Sequence, residues 1–157
     1  MATERWFLKL DGIAGESTHV AHKDEIDVES WSWGVANTGS SSGGGSGKAS
    51  FQDFQFVSRI SRASPALFLA CASGSHIKEA LLSGIRGVGK GTDFLKYKLR
   101  DVMVTSVVQG DAEESAPTEQ FSLNFSKVEI SYAQQSSSGK SLPAVTAGWD
   151  LKVNKKI

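Results

Sequence analysis

The chain has 157 residues, 39% of them hydrophobic and 22% charged, with 17 basic side chains balancing 17 acidic ones. That length implies one domain over 1–157 with a substantial core, and the composition excludes a disordered chain. A formal charge of zero lacks the basic excess that phosphate neutralisation demands, so no nucleic-acid partner is expected; it also does little to keep copies apart.

In chain order, the N-terminal MATERWFLKLDG carries Glu4, Arg5 and Lys9 and lacks the long apolar region of a secretory signal. Within it Trp6, Leu8 and Leu10 recur every second residue, which is the period of a strand with one buried face. The polar stretch that follows holds His19, His22, Asp24 and Glu25. These residue types ligate metals, but they match no ligand motif, so the segment reads as a solvated turn and no metal is expected. Ile26 and Val28 begin a second strand pattern that continues, with its parity shifted, through Trp31, Trp33 and Val35.

The glycine- and serine-rich stretch TGSSSGGGSGKAS comes next, over 38–50. Its Gly47-Lys48 pair resembles the end of a phosphate-binding loop. That motif needs glycine where Ser42 stands and a hydroxyl where Ala49 stands, and it must open a helix, whereas SFQDFQF follows as a strand. A domain linker is excluded as well, since only 37 residues precede Thr38. A hairpin turn needs only ~2–5 residues. The loop (about 37–48) is therefore expected to be mobile or to be ordered by a partner.

Phe54 and Phe56, with Ile60 on the same parity, mark another strand. SPALFLACASG at 64–74 breaks the period: Ser64 suits an N-cap, Pro65 the first helical position and Gly74 the C′ position. Leu67, Phe68 and Cys71 would share the buried face of this short helix (about 64–73). The apolar run inside it, 66–72, is too short to span a bilayer, so no stable membrane association is expected. Cys71 is the only cysteine; it reads as a small core hydrophobe, and the chain is expected to fold without oxidation, as a cytoplasmic protein does. His76 reads as a structural residue at a helix-to-strand corner. Residues 77–86 read as a strand. Leu95, Tyr97 and Leu99 alternate with Lys96, Lys98 and Arg100, then Phe121, Leu123 and Phe125 alternate, and finally Trp149, Leu151 and Val153. About seven or eight strands result.

Three patterns contain a gap of three instead of two: Val28 to Trp31, Leu99 to Val102, and Phe125 to Val128. One extra residue flips the apolar face unless a bulge absorbs it or the strand changes sheets. The residues thus describe a small, strongly bent barrel or two-sheet sandwich with one helix. No serine lies in a nucleophile motif or beside a base, no catalytic pair stands out, and no cofactor is expected. Charges are segregated. HKDEIDVE at 22–29 is acidic, as are Asp111, Glu113, Glu114 and Glu119; Lys96, Lys98, Arg100, Lys152, Lys155 and Lys156 are basic. Opposite zones on one neutral chain suit head-to-tail contacts between copies.

Six blocks in order resemble the Hcp family, the haemolysin-coregulated tube proteins of type VI secretion: FLKLDGIAGES (7–17), HKDEIDVESWSWG (22–34), the Gly/Ser loop with FQDFQF, SPALFLACASGSHI (64–77), FLKYKLRDVMVTS (94–106) and GWDLKVNK (148–155). The resemblance implies a mainly β fold: a small β-barrel of two strongly bent antiparallel sheets with one short flanking helix. It implies a non-enzymatic homohexamer whose rings stack into a tube driven by a contractile sheath with a spike at its tip, made in the cytoplasm and expelled without a signal peptide. It further implies room for small effector proteins in the lumen, and the matched blocks leave no space for an added toxin domain. If Trp31 and Trp33 point into the barrel, Ser30, Ser32 and Gly34 face the other way, toward the implied lumen, which makes Ser30 and Ser32 candidate cargo contacts. The loop Thr38, Gly39, Ser40, Ser41, Ser42, Gly43, Gly44, Gly45, Ser46, Gly47 and Lys48 is the candidate ring-stacking element. The competing expectation is a monomeric β-barrel that binds a small ligand or protein partner.

Overall fold

The computed structural model describes residues 4–37 and 48–157. The expected stacking-loop residues Thr38 to Gly47 lie outside them, while Lys48 is described and exposed. Among the described residues the strands are β1 (Arg5–Leu10), β2 (Ile26–Val28), β3 (Ser30–Ser32), β4 (Val35–Asn37), β5 (Ala49–Phe51), β6 (Phe54–Arg59), β7 (His76–Arg86), β8 (Thr92–Gly110), β9 (Thr118–Asn124), β10 (Lys127–Tyr132), β11 (Val145–Asp150) and β12 (Lys155–Lys156). One helix, α1 (Ser64–Ser73), joins β6 to β7. There are more strands than expected because two of the three gaps of three are breaks between strands, and because β4, β5 and β12 are short strands of their own.

The pairing order runs nearly full circle. All neighbours are antiparallel in the series β2–β1–β7–β8–β9–β6–β3. The two ends of that series, β2 and β3, are separated only by Glu29, whose N–H donates to the Val57 carbonyl of β6 at 2.8 Å. The gap between Val28 and Trp31 is therefore the point where the chain leaves one sheet edge and joins the other, which completes the barrel. The long β8 belongs to both sheets: its first half pairs with β7 and β10, its second half with β9. Its gap of three falls at Asp101, which takes the left-handed backbone conformation (φ 54°) that aspartate tolerates better than most residues. The β7–β8 register is unchanged across it, with Glu79 opposite Arg100 and Ile77 opposite Val102, so the two strands twist together and Leu99 and Val102 are both buried. The third gap is the corner at Ser126 between β9 and β10. The strands β10, β11 and β12 extend the first sheet, and β4 and β5 pair as a separate hairpin.

Aromatic rings fill the barrel. Phe54, Phe56 and Phe121 are almost wholly buried, with Phe56 stacked on Phe121 at 5.1 Å and Trp33 on Phe54 at 5.1 Å. Trp31 meets Trp6 at 5.1 Å and Tyr97 at 5.0 Å. Both tryptophans of WSW thus turn inward, although each remains half-buried.

Four expectations require correction. Ser64 is the first residue of α1, not its cap: Ala63 holds the cap position, and Ser64 Oγ accepts from the Ser61 N–H at 3.0 Å and donates to Glu119 at 3.0 Å. Gly74 does end the helix in the left-handed conformation, φ 67°. The helix buries Leu67 and Ala70, while Phe68, expected beside Leu67 in the core, is 61% exposed with Leu69 at 63%. A spacing of three, not one or four, selects the face that meets β8. Ile60 lies beyond β6 and is exposed, and Leu151 and Val153 fall in the turn after β11, where the chain reverses into β12.

Candidate functional site

The outward faces of β3, β6, β9 and the second half of β8 form one continuous surface. Because Phe54, Phe56, Phe121 and Leu123 point inward, the alternate residues take the other face, where Ser122 is itself only 2% exposed. The register aligns them in two cross-strand rows. One runs Ser32, Gln55, Ser122, Ser106; the other runs Ser30, Val57, Gln120, Val108. None of these eight residues is charged. Ser30 and Ser32 are both exposed, on the face expected of them.

Charge appears only at the ends of the rows. Arg59 stands at one end, on the last position of β6. At the other, Asp53 accepts from Thr105 Oγ1 at 2.7 Å and from Asn124 Nδ2 at 3.0 Å. Thr105 is the residue skipped where the β8–β9 register shifts, and its hydroxyl also lies 2.6 Å from Ser122 Oγ, which in turn lies 2.6 Å from Ser106 Oγ. The bulge therefore ties three hydroxyls to one carboxylate.

The outward face of the other sheet is its opposite in character. There the register aligns Lys9, Leu81, Lys98 and Glu129, and beside them Glu79, Arg100, Lys127 and Asp150. That is an ordinary solvated, mixed-charge face.

The remaining sequence-picked residues are structural. His22 is buried at 6% exposure, contrary to a solvated turn. It stacks flat on Phe7 at 5.0 Å, with Nδ1 2.9 Å from Glu25 and Nε2 3.0 Å from Asp93. His19 lies beside it, with Nε2 2.9 Å from the Lys90 carbonyl. The two histidines fasten the 14–25 segment to the β7–β8 turn. His76 bonds Asp101 at 2.7 Å, and Asp101 also accepts from Ser126 at 2.7 Å and Lys152 at 2.9 Å. The Ser126 hydroxyl, then Lys152 and His76, hold the Asp101 carboxyl well below the usual carboxylate range. Burial, reinforced by the charge of Glu16, pushes Asp27 up.

Glu119 leaves the acidic zone to which it was assigned. It is 1% exposed and accepts from Ser64 Oγ at 3.0 Å and Gln109 Nε2 at 2.6 Å, which anchors the start of α1 to the barrel. The signal was its parity: Glu119, Phe121, Leu123 and Phe125 are successive alternate positions. Cys71 is half-buried. Among the described residues no helix is long and apolar enough to cross a membrane.

The family model described as "Type VI secretion system effector, Hcp" matches residues 7–132. The protein hcp1 of Pseudomonas aeruginosa is 37% identical over 154 residues, covering 94% of this chain and 95% of that protein. The crystal structure of Hcp1 from Salmonella typhimurium superposes with a TM-score of 0.83 at 37% identity, covering 99% of this chain and 100% of the other. A structure titled as a type six secretion system protein gives a TM-score of 0.91 at 28% identity, covering 98% and 99%.

Proposed function

The chain belongs to the Hcp family of type VI secretion tube proteins, and we propose that six copies close into a ring, that rings stack into the expelled tube, and that the uncharged face of β3, β6, β9 and β8 lines its lumen. The two uncharged rows are the observation that carries this reading. A chain with 22% charged residues normally spreads charge over a solvated strand face, as the other sheet does. A face cleared of charge offers a passing or resident protein no fixed ion pairs, so cargo is held by shape and neutral hydrogen bonds. Ser30 and Ser32 are its cargo contacts.

In this reading Lys48 and the residues from Thr38 to Gly47 contact the next ring, a spike protein caps the tube and a contractile sheath surrounds it. The chain is made in the cytoplasm and leaves through that machine without a signal peptide. A monomeric barrel holding a small ligand inside would need interior space, and Phe54, Phe56 and Phe121 occupy it.

Light scattering and negative-stain imaging of the purified protein test the assembly; a strict monomer at high concentration refutes it. Co-purification of small effectors with wild type and with Ser32→Trp tests the carrier role. Loss of cargo from intact rings is expected, and cargo retained unchanged removes Ser32 from the contact.

A further inference from the structure

The helix α1, SPALFLACAS, contains no charged residue. Its inner face covers β8 through Leu67 and Ala70. Its outer face presents Pro65, Phe68, Leu69 and Ala72, all exposed. A surface helix ordinarily carries charge on its solvent side, and one that is apolar all round is normally covered. Adjacent exposed phenylalanine and leucine on such a helix form a contiguous apolar patch of the kind that marks an interaction surface.

The same chain offers a surface of matching chemistry. Between the β4–β5 hairpin and β10–β11 lies an open cleft of about 670 Å³, walled by Trp33, Val35, Phe51, Ile130, Ala147 and Trp149 among others, with no Asp, Glu, Lys or Arg on its wall among the described residues. Depletion of charge combined with enrichment in tryptophan and phenylalanine is the composition of an interface core. The protomer's own helix does not fill the cleft, since α1 packs on β8 and contributes nothing to its lining.

We infer that the outer face of α1, led by Phe68 and Leu69, seats in the β4–β5/β10–β11 cleft of a second copy, forming the contact that joins neighbours around the ring. This rests on the ring assembly proposed above. Patch and cleft are different surfaces of one chain, so the contact is heterologous: every copy gives a helix to one neighbour and a cleft to the other. Repetition of such a contact closes a ring when the rotation between copies allows it, whereas a self-complementary patch would stop at a dimer. The zero formal charge of the chain lets uncharged surfaces approach without net repulsion between copies.

Site-directed crosslinking tests the pairing, in a Cys71→Ala background that removes the native thiol. Phe68→Cys in one copy and Ala147→Cys in another are mixed under mild oxidation. Val20→Cys, exposed and outside the cleft, replaces Ala147→Cys in the control. A disulfide between positions 68 and 147, absent from the control, is expected, and one chain carrying both cysteines should give a ladder ending in a covalently closed ring. Independently, Phe68→Glu and Leu69→Glu, exposed positions that leave the barrel core untouched, should each raise the concentration for ring assembly about tenfold or more, because a charge would enter an apolar cleft. Far-UV circular dichroism should stay unchanged. Wild-type rings with neither the crosslink nor a response to both glutamates overturn the pairing and leave the ring reading standing. Wild type that is monomeric at every concentration overturns both.

Discussion

Gly84→Ala is expected to destabilise the barrel, and the sign is not obvious from the residue types. Gly84 pairs directly with Trp6 across β7 and β1. A Cβ at that position would run into the Trp6 ring, with its nearest carbons inside van der Waals contact. The retreat of the ring is restricted on two sides, by Trp31 edge-on at 5.1 Å and by Phe94 tilted against it at 5.7 Å. Alanine would gain ~0.5–1 kcal/mol over glycine from reduced backbone entropy. Overpacking costs ~1–3 kcal/mol, and disturbing two aromatic contacts adds ~0.5–1.5 kcal/mol for each one lost. The net is a loss of about 2 kcal/mol, or a fall of about 4–8 °C in melting temperature for a domain of this size. Thermal denaturation at fixed protein concentration measures it, since assembly shifts the apparent midpoint. Trp6→Phe should cost stability alone yet relieve the alanine in the double variant, giving a coupling energy of opposite sign to the single losses. A melting temperature equal to or above wild type for Gly84→Ala, or strict additivity with Trp6→Phe, would refute the claim that close ring approach requires this glycine.

Glu119→Ala should lower stability by about 2–4 kcal/mol in urea titrations, because it opens a cavity and strips the buried Ser64 hydroxyl of a carboxylate partner; a loss under ~0.5 kcal/mol would show that the anchor is dispensable. The depressed Asp101 group contributes stability that is present above the ordinary carboxylate pKa and lost as pH falls through that value toward the lower native one. Asp101→Asn, which keeps a residue tolerant of positive φ, should therefore lie below wild type near neutrality and converge with it in acid; a difference independent of pH would contradict this. Deleting several residues between Ser40 and Gly47 should leave ring formation intact while reducing tube length in negative-stain images and secretion, and normal stacking and secretion would remove the loop from the ring–ring contact.

The strands were legible because one face of each packs against rings. Trp6, Leu8 and Leu10 sit in β1 and Phe54 and Phe56 in β6, and their parity alone put them inside. The gaps of three were legible too, but not what fills each one. The gap at Asp101 is a left-handed twist inside one strand that leaves its register unchanged, whereas those after Val28 and Phe125 are corners between strands. A lone parity shift carries no information on which occurs, since both return the next apolar residue to the core. The helix misled for a related reason. SPALFLACAS has apolar residues on every side, so its composition could not single out a buried face; contact with β8 does that. Leu67 and Ala70 go in, and Phe68 stays out.

The uncharged face could not be read from any one segment. Each strand contributes only two of its residues: Ser30 and Ser32, Gln55 and Val57, Gln120 and Ser122, Ser106 and Val108. Within their own segments these are unremarkable polar or β-branched positions with charged neighbours close by, such as Glu29 before Ser30 and Glu119 before Gln120. The fold removes most of the neighbouring charges from the face. Glu119 turns into the barrel, Asp53 is tied down by Thr105 and Asn124 at the rim, and Arg59 ends the strand. The absence of charge is thus a property of the fold, assembled from four separated stretches. A substitution that inserts lysine at Gln55 or Gln120 would break it without touching any residue that the sequence motifs mark.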